Sequence, residues 1–298
     1  MTTAVALLLA ARPRTLPAAL APVLLGSACA AVAGKFSPVP ALCAALFALF
    51  AQIASNLAND YGDFKKGADG ADRLGPERAT AQGWLSPKQT LTAALVSVFV
   101  AVAFGLALIE FGGPWMLLVG ALSVVACLAY SLGPFPLAYH GLGDVFVVTF
   151  FGLVAVAFTT WTQALAFPPF MWVVALACGL GADNILLVNN LRDRGTDARA
   201  GKRTTVVRFG EGFAVGLYKF NLVFVFLSPL ILRFAFGMDA LCVLLPMVVL
   251  PWFMAPILKT LRTYENPREL NPLLGKTAGA LLIYALTQSL GLFIQAAA

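Results

Sequence analysis

The sequence predicts an all-α integral membrane protein of about nine transmembrane helices. They are expected to enclose a cavity open to the cytoplasmic side, with the N-terminus inside. Three observations carry this. Of 298 residues, 60% are hydrophobic and only 11% charged, against about 25% charged in soluble domains. One water-soluble core of this length does not enclose so much apolar surface, so the bilayer is the solvent. Apolar runs of spanning length recur through the chain, and Lys and Arg fall almost wholly in alternate connections.

The first span, 15–34, follows Arg12 and Arg14. With eight further spans behind it, the N-terminus is expected to belong to the membrane domain and not to a cleaved signal. The next runs are 38–58, 90–111 and 114–132, the last two parted by Gly112-Gly113-Pro114. Runs 143–165 and 169–190 are parted by Phe167-Pro168-Pro169, and 213–236, 238–260 and 277–296 complete the set. Gly and Pro break helices at these short turns. Two connections, 59–89 and 191–212, are long and charged, and the chain reads as one catalytic domain over 1–298.

Charge gives the orientation. With the N-terminus inside, seventeen basic residues lie in inside segments, among them Arg12, Lys65, Arg78, Arg192, Lys202 and Arg262; Lys35 and Arg233 alone lie outside. That asymmetry places both charged loops on the cytoplasmic face, and the chain is expected to be a multi-pass protein of the cell (inner/plasma) membrane. The net charge of +6 therefore serves orientation and an anionic substrate, and nucleic acid is not expected as a partner. Cys29, Cys43, Cys127, Cys178 and Cys242 stand singly in apolar runs without a Cys-x-x-Cys pair. They read as packing residues, not as disulfides or a zinc site.

The charged loops hold the chemistry. In Asn56-Leu-Ala-Asn59-Asp60-Tyr61-Gly62-Asp63, a helix continued to about residue 64 brings Asn56, Asn59, Asp60 and Asp63 to one face. In Asn189-Asn190-Leu-Arg192-Asp193-Arg194-Gly-Thr-Asp197, Asn189, Asp193 and Asp197 share a face in the same way. Clustered carboxylates at a membrane surface repel unless a cation lies between them. Oxygen-only donors suit Mg²⁺, which is held by one or two carboxylates together with substrate phosphates. Lys65, Lys66, Arg192, Arg194, Lys202 and Arg203 supply donors for phosphate oxygens. The pattern therefore points to a clamp for a Mg²⁺-bridged diphosphate.

Asn59-Asp60-x-x-Asp63 and Asp193-x-x-x-Asp197 resemble the two aspartate-rich motifs of the UbiA superfamily of intramembrane prenyltransferases. Arg12-Pro-Arg14-Thr15-Leu16, Gly133-Pro134-Phe-Pro136-Leu137, Asn189-Asn190-Leu-Arg192-Asp193 and Ala200-Gly201-Lys202-Arg203-Thr204 extend the likeness from about residue 11 to 210. They are most similar to the branch that prenylates 1,4-dihydroxy-2-naphthoate in menaquinone biosynthesis. Two positions depart from the pattern. Gly67 stands where a third aspartate is common, leaving Asp69 as the nearest candidate, and His140 stands where arginine is expected.

The resemblance implies transfer of a polyprenyl group from its diphosphate to the naphthoate, with loss of CO₂ and pyrophosphate. Mg²⁺ would be bound by Asp60, Asp63, Asp193 and Asp197. The diphosphate would meet Asn56, Asn59, Lys65, Arg192 and Lys202, and the acceptor would meet Arg12, Arg14, Tyr130 and His140. A sister prenyltransferase acting on 4-hydroxybenzoate, haem or a chlorophyll precursor is the nearest alternative. A secondary transporter is a third reading, but eight of the fourteen acids lie in the two charged loops, whereas transporter sites sit near the bilayer midplane. Asp183, inside the sixth span, is an intramembrane acid with a functional or a packing role. With His140 the only histidine, a metal site built on several histidines is excluded.

Overall fold

A computed structural model gives the structure of residues 1–67 and 73–298. Among these the chain is helical throughout, without a strand. Eight helical segments are long and apolar enough to cross a membrane. The first comprises α1 (Thr3–Ala10) and α2 (Leu16–Val32), joined by a short turn. Then come α3 (Pro38–Lys65), α4 (Pro87–Ala107) with its extension α5 (Ile109–Gly112), and the shorter α6 (Met116–Ala129). α7 (Gly143–Val147) continues through a π-type segment into α8 (Ala155–Ala164), followed by α9 (Met171–Arg199), α10 (Thr205–Phe209) and α11 (Glu211–Phe236). α12 (Ala240–Val243), α13 (Leu245–Thr263) and α14 (Leu270–Ala297) complete the chain.

α6 has only 14 residues, about 21 Å at 1.5 Å per residue, and falls short of the length of a full span. Its ends nevertheless lie at opposite poles of the bundle. Met116 packs with Val23, Ala44 and Leu108, whereas Tyr130, just past the other end, lines a cavity with Asp63 and Asp193. With it, the described residues hold nine apolar helices of these kinds, roughly consistent with the expected count of about nine.

Local chemistry explains the boundaries. Ser86 caps α4 through a reciprocal pair with Gln89, and Pro87 occupies the first turn, where its missing N–H costs nothing. Left-handed Gly237 ends α11. The largest core cluster joins α2, α8, α9, α11 and α14 through Leu25, Val156, Met171, Leu232 and Tyr284. Gly152 and Gly179 allow the π-type segment to cross α9 at backbone contact; a Cβ on Gly152 would lie 2.5 Å from the Ala175 carbonyl oxygen. Phe99, Phe234, Leu241 and Trp252 point outward, each at least three-quarters exposed. Such a surface is at home in lipid.

Candidate active site

α3 and α9 run on past the expected ends of their spans, as far as Lys65 and Arg199. These extensions carry the two acidic motifs, and the structure brings them together around a polar cavity of about 110 Å³. Asn59 and Asp63 enter it from α3, and Asn189, Asn190, Asp193 and Asp197 enter from α9. Arg73 and Arg78, from the segment after α3, and Asp144, the second residue of α7, complete the wall.

Asp63 is the hub. Its Oδ1 accepts from Lys202 Nζ at 3.0 Å and from the Tyr139 hydroxyl at 3.1 Å, and its Oδ2 pairs with Arg78 Nη2 at 3.3 Å. Lys202 also reaches Asp197 Oδ1 at 3.7 Å, so one ammonium bridges the two motifs. Asp193 is gripped by its neighbour Arg192 through Nε–Oδ1 at 2.8 Å and Nη2–Oδ2 at 2.6 Å. Arg192 also donates to Asn271 Oδ1 at 3.1 Å, and Asn271 donates to the Leu74 carbonyl at 2.9 Å. Gly75 lies against this guanidinium, where a Cβ would come within 2.6 Å of Nη2. Arg192 thus ties α14 and the 73–78 segment to α9 while fixing Asp193 bidentately.

Lys66, at the C-cap of α3, donates to the Ser131 carbonyl at 3.0 Å and lies 4.2 Å over the Tyr139 ring. Lys202 lies 5.0 Å from the same ring centre. Burial lowers the Lys66 ammonium below the usual lysine range; Asp63 opposes this and Lys202 reinforces it. Tyr130 stands where polar and apolar space meet. Burial pushes its hydroxyl up, with Asp144, Asp183, Asp63 and Asp197 acting in the same direction, so at neutral pH it is a donor.

Behind Tyr130 opens an apolar cavity of about 250 Å³. Arg12, Asn59, Tyr130, Leu186 and Asn189 line both spaces, so the two are continuous. α2 contributes Ala18, Ala19 and Pro22, α3 contributes Ala48 and Ala51, and Phe146, Phe150 and Phe151 close another side. Arg12 reaches the junction from a left-handed backbone (φ 52°) in the turn that starts α2.

Other expected residues lie elsewhere. Asp60 is 1% exposed, and its oxygens accept from the amides of Ala79 at 3.2 Å and Thr80 at 3.4 Å. Consecutive helix residues diverge by about 100°, so Asn59 turns into the cavity while Asp60 holds the returning loop. Asp60→Ala is expected to leave both amides without an acceptor, at about 1–3 kcal/mol each. A lowered Tm, with activity per folded molecule kept within about tenfold of wild type, is the expected result; a folded but inactive variant would return Asp60 to the chemistry.

Asn56 lines the apolar cavity and donates to the Ala11 carbonyl and to Thr15 Oγ1, both at 2.9 Å, tying α3 to the start of α2. Lys65 is exposed and sits 5.9 Å from the Tyr61 ring; its neighbour Lys66, exposed as well, is the one that reaches Ser131 and Tyr139. Arg14 is exposed on the turn before α2. His140 stacks on Phe135 at 3.6 Å, with Nδ1 2.9 Å from the Pro136 carbonyl. Asp69 lies outside the described residues. Residues that the motifs did not mark are Arg73, Arg78, Tyr139 and Asp144.

The donor set suits a hard cation, because Asp63, Asp193, Asp197, Asn59, Asn189 and Asn190 offer oxygens around one space without thiol or imidazole. Among the described residues no three acids already stand at metal-binding spacing. Lys202 occupies the ground between Asp63 and Asp197 instead.

Known proteins share this architecture. A relative from Escherichia coli (strain K12), described as 1,4-dihydroxy-2-naphthoate octaprenyltransferase, is 37% identical over 95% of this chain and 93% of its own length. One of the same description from Mycobacterium tuberculosis is 37% identical over 93% of this chain and 92% of its own. Among solved structures, the apo UbiA homolog from Aeropyrum pernix K1 superposes with a TM-score of 0.72 at 14% identity, covering 93% of this chain and 97% of that one. A UbiA homolog from Archaeoglobus fulgidus bound to GPP and Mg²⁺ superposes with a TM-score of 0.60 at 16% identity, covering 95% and 99%. The model of the UbiA prenyltransferase family matches residues 19–274, and the chain belongs to that family.

Proposed function

We propose that this chain transfers a polyprenyl group from polyprenyl diphosphate to 1,4-dihydroxy-2-naphthoate, releasing CO₂ and pyrophosphate and giving demethylmenaquinol, the reduced form of demethylmenaquinone. The observation that carries this reading is the continuity of a polar cavity holding two acid clusters with an apolar cavity walled by α2, α3, α6 and three phenylalanines. A diphosphate fits the first and an isoprenoid chain the second. The naphthoate is drawn from the activity for which the relatives are named.

Asp63, Asp193 and Asp197 would hold Mg²⁺ jointly with diphosphate oxygens, aided by the Asn59, Asn189 and Asn190 amides. Bound there, Mg²⁺ supplies electrostatic stabilisation of the departing pyrophosphate. Lys202, spread between Asp63 and Asp197, would be the nearest ammonium for the phosphate oxygens. Arg73 and Arg78 add donors from the loop, and Arg192 keeps Asp193 in place. The allylic carbon then carries positive character against the walls of α2, α3 and α6, which exclude competing water. The acceptor ring reaches it at the junction between Arg12 and Tyr130. Residues 1–298 act as one catalytic unit in the cell (inner or plasma) membrane, with the basic pole, and hence the site, facing the cytoplasm.

The test is an assay in membranes with a polyprenyl diphosphate, 1,4-dihydroxy-2-naphthoate and Mg²⁺, read as prenylated and decarboxylated product. Product is expected to disappear on chelation, to return with added Mg²⁺, and to be lost in Asp193→Ala. Turnover with 4-hydroxybenzoate alone would keep the mechanism and reassign the acceptor. Absence of transfer to any aromatic acceptor would overturn the reading.

A further inference from the structure

A pair of acids outside the two motifs remains without a role. Asp144, at the start of α7, lines the polar cavity. Its Oδ2 accepts a short hydrogen bond from the Thr205 hydroxyl of α10, while its Oδ1 is buried and accepts none. Asp183, on α9, is 2% exposed. Its Oδ2 accepts from Asn221 Nδ2 at 2.9 Å, its Oδ1 is likewise buried and unpartnered, and Asp144 stands within hydrogen-bonding reach of it. The same Asn221 amide also donates to Asn184 Oδ1 at 3.2 Å, which fixes Asp183 from behind.

Among the described residues neither acid is joined to a cation. Two carboxyls brought together at membrane depth are costly as two anions. Both Oδ1 atoms are buried without a donor, so Asp144 keeps an uncommitted acceptor oxygen at the wall of the polar cavity.

The other acids of the cavity are committed. Asp63 is bound by Lys202, Arg78 and Tyr139, Asp193 by Arg192, and Asp197 by Lys202. Tyr130, beside Asp144 at the junction, keeps its proton and so donates. Of the four carboxyls lining the polar cavity, Asp144 alone lies free of these cations and next to the apolar entrance.

We propose that Asp144 is the catalytic residue that takes the proton from the acceptor's ring hydroxyl, and that Asp183, packed beside it and fixed by Asn221, is the positioning residue that holds Asp144 in place. The inference rests on the prenyl-transfer reading. As the hydroxyl O–H bond breaks, its electron pair flows into the ring, and the ring carbon bearing the carboxylate forms a bond to the allylic carbon. The allylic C–O bond breaks, and its pair leaves with pyrophosphate. The ring–carboxylate bond then cleaves, CO₂ departs, and the freed pair restores the aromatic ring as the proton returns from Asp144 to the ring oxygen. Nothing is oxidised or reduced, and the aspartate pair ends as it began.

The experiment compares Asp144→Asn, Asp183→Asn and Thr205→Val with wild type in three measurements. These are Mg²⁺-dependent binding of farnesyl diphosphate, turnover with the preferred aromatic acceptor, and turnover across ring-fluorinated acceptors of increasing hydroxyl acidity. A general base contributes about 10²–10⁴-fold, so Asp144→Asn is expected to lower turnover by that factor while binding farnesyl diphosphate within about threefold of wild type. The deficit should shrink by at least about tenfold for acceptors already ionised at the assay pH, which loss of packing alone would not produce. Asp183→Asn keeps the side chain's shape but replaces a carboxyl oxygen beside Asp144 with an amide, and Thr205→Val removes the donor to Oδ2. Both should show a smaller loss with the same dependence on acceptor acidity, and they carry the test if Asp144→Asn does not fold.

Turnover of Asp144→Asn within about threefold of wild type, or a deficit uniform across acceptors, would overturn the assignment. Loss of farnesyl diphosphate binding would overturn it too, by moving Asp144 to the diphosphate. If wild type itself prenylates no aromatic acceptor, the functional reading falls as well; an active wild type with indifferent variants sinks the base alone.

Discussion

Asp63→Asn is expected to abolish prenyl transfer in a protein that still folds. Asp63 is 3% exposed and gathers three donors from three separate places: Lys202 after α9, Tyr139 after α6, and Arg78 in the loop after α3. Asparagine preserves the shape and one acceptor oxygen but turns an amide NH2 toward one of the two cations, Lys202 or Arg78. Losing one preorganised electrostatic group in a buried site costs about 10²–10³ in rate. Here the loss also removes a metal-site carboxylate and frees Lys202 and Arg78, so a fall of at least about a thousandfold is expected. Removing one partner of a buried ion pair costs about 3–5 kcal/mol, and Tm should drop accordingly. Product formation per folded molecule is therefore the deciding measurement. Activity within about tenfold of wild type would mean that the diphosphate is held elsewhere. Set against Asp60→Ala, the expected ranking is a contrast between neighbours in one motif, with Asp63 carrying chemistry and Asp60 carrying the fold.

That contrast also marks where sequence reasoning reached its limit. The apolar runs fixed where helices cross, because a span needs little beyond length and low charge, and the breaks at Gly112-Gly113 and Phe167-Pro168-Pro169 were readable from backbone chemistry. The acidic motifs were legible too, since a 3.6-residue period puts Asn59 and Asp63 together and lets α9 present Asp193 and Asp197. The period gives a stripe, not an aim. Whether Asp60 points into the cavity or toward Ala79 and Thr80 depends on a loop that returns from outside the helix. Lys65 and Lys66 are equivalent in composition, and only the helix end decides that Lys66 swings over Tyr139. The Asp144–Asp183 pair joins residues far apart in the chain through tertiary packing, so neither motif spacing nor hydropathy could connect them.

The second large effect concerns the apolar cavity, and Ala48→Phe is expected to convert a long-chain enzyme into one that accepts only short prenyl donors. Ala48 lines that cavity on α3 together with Ala51, Gln52, Ser55, Asn56 and Asn59. Eleven residues separate it from Asn59, so it lies about 16 Å farther along the helix at 1.5 Å per residue, away from the polar end. A polyprenyl tail arrives from lipid, which is as apolar as the cavity wall, so burial there adds little driving force. The cavity acts on shape: it lets the tail run inward while the diphosphate sits in the polar space. A phenyl ring at position 48 obstructs that path for a long chain and leaves a short one untouched. Displacing a reacting carbon by about 1 Å costs about a hundredfold. Turnover with a long polyprenyl diphosphate should therefore fall about a hundredfold, while dimethylallyl diphosphate stays within about threefold of wild type. Equal losses for long and short donors, in a variant of unchanged Tm, would mean that the tail leaves by another route and that this cavity receives the aromatic acceptor instead.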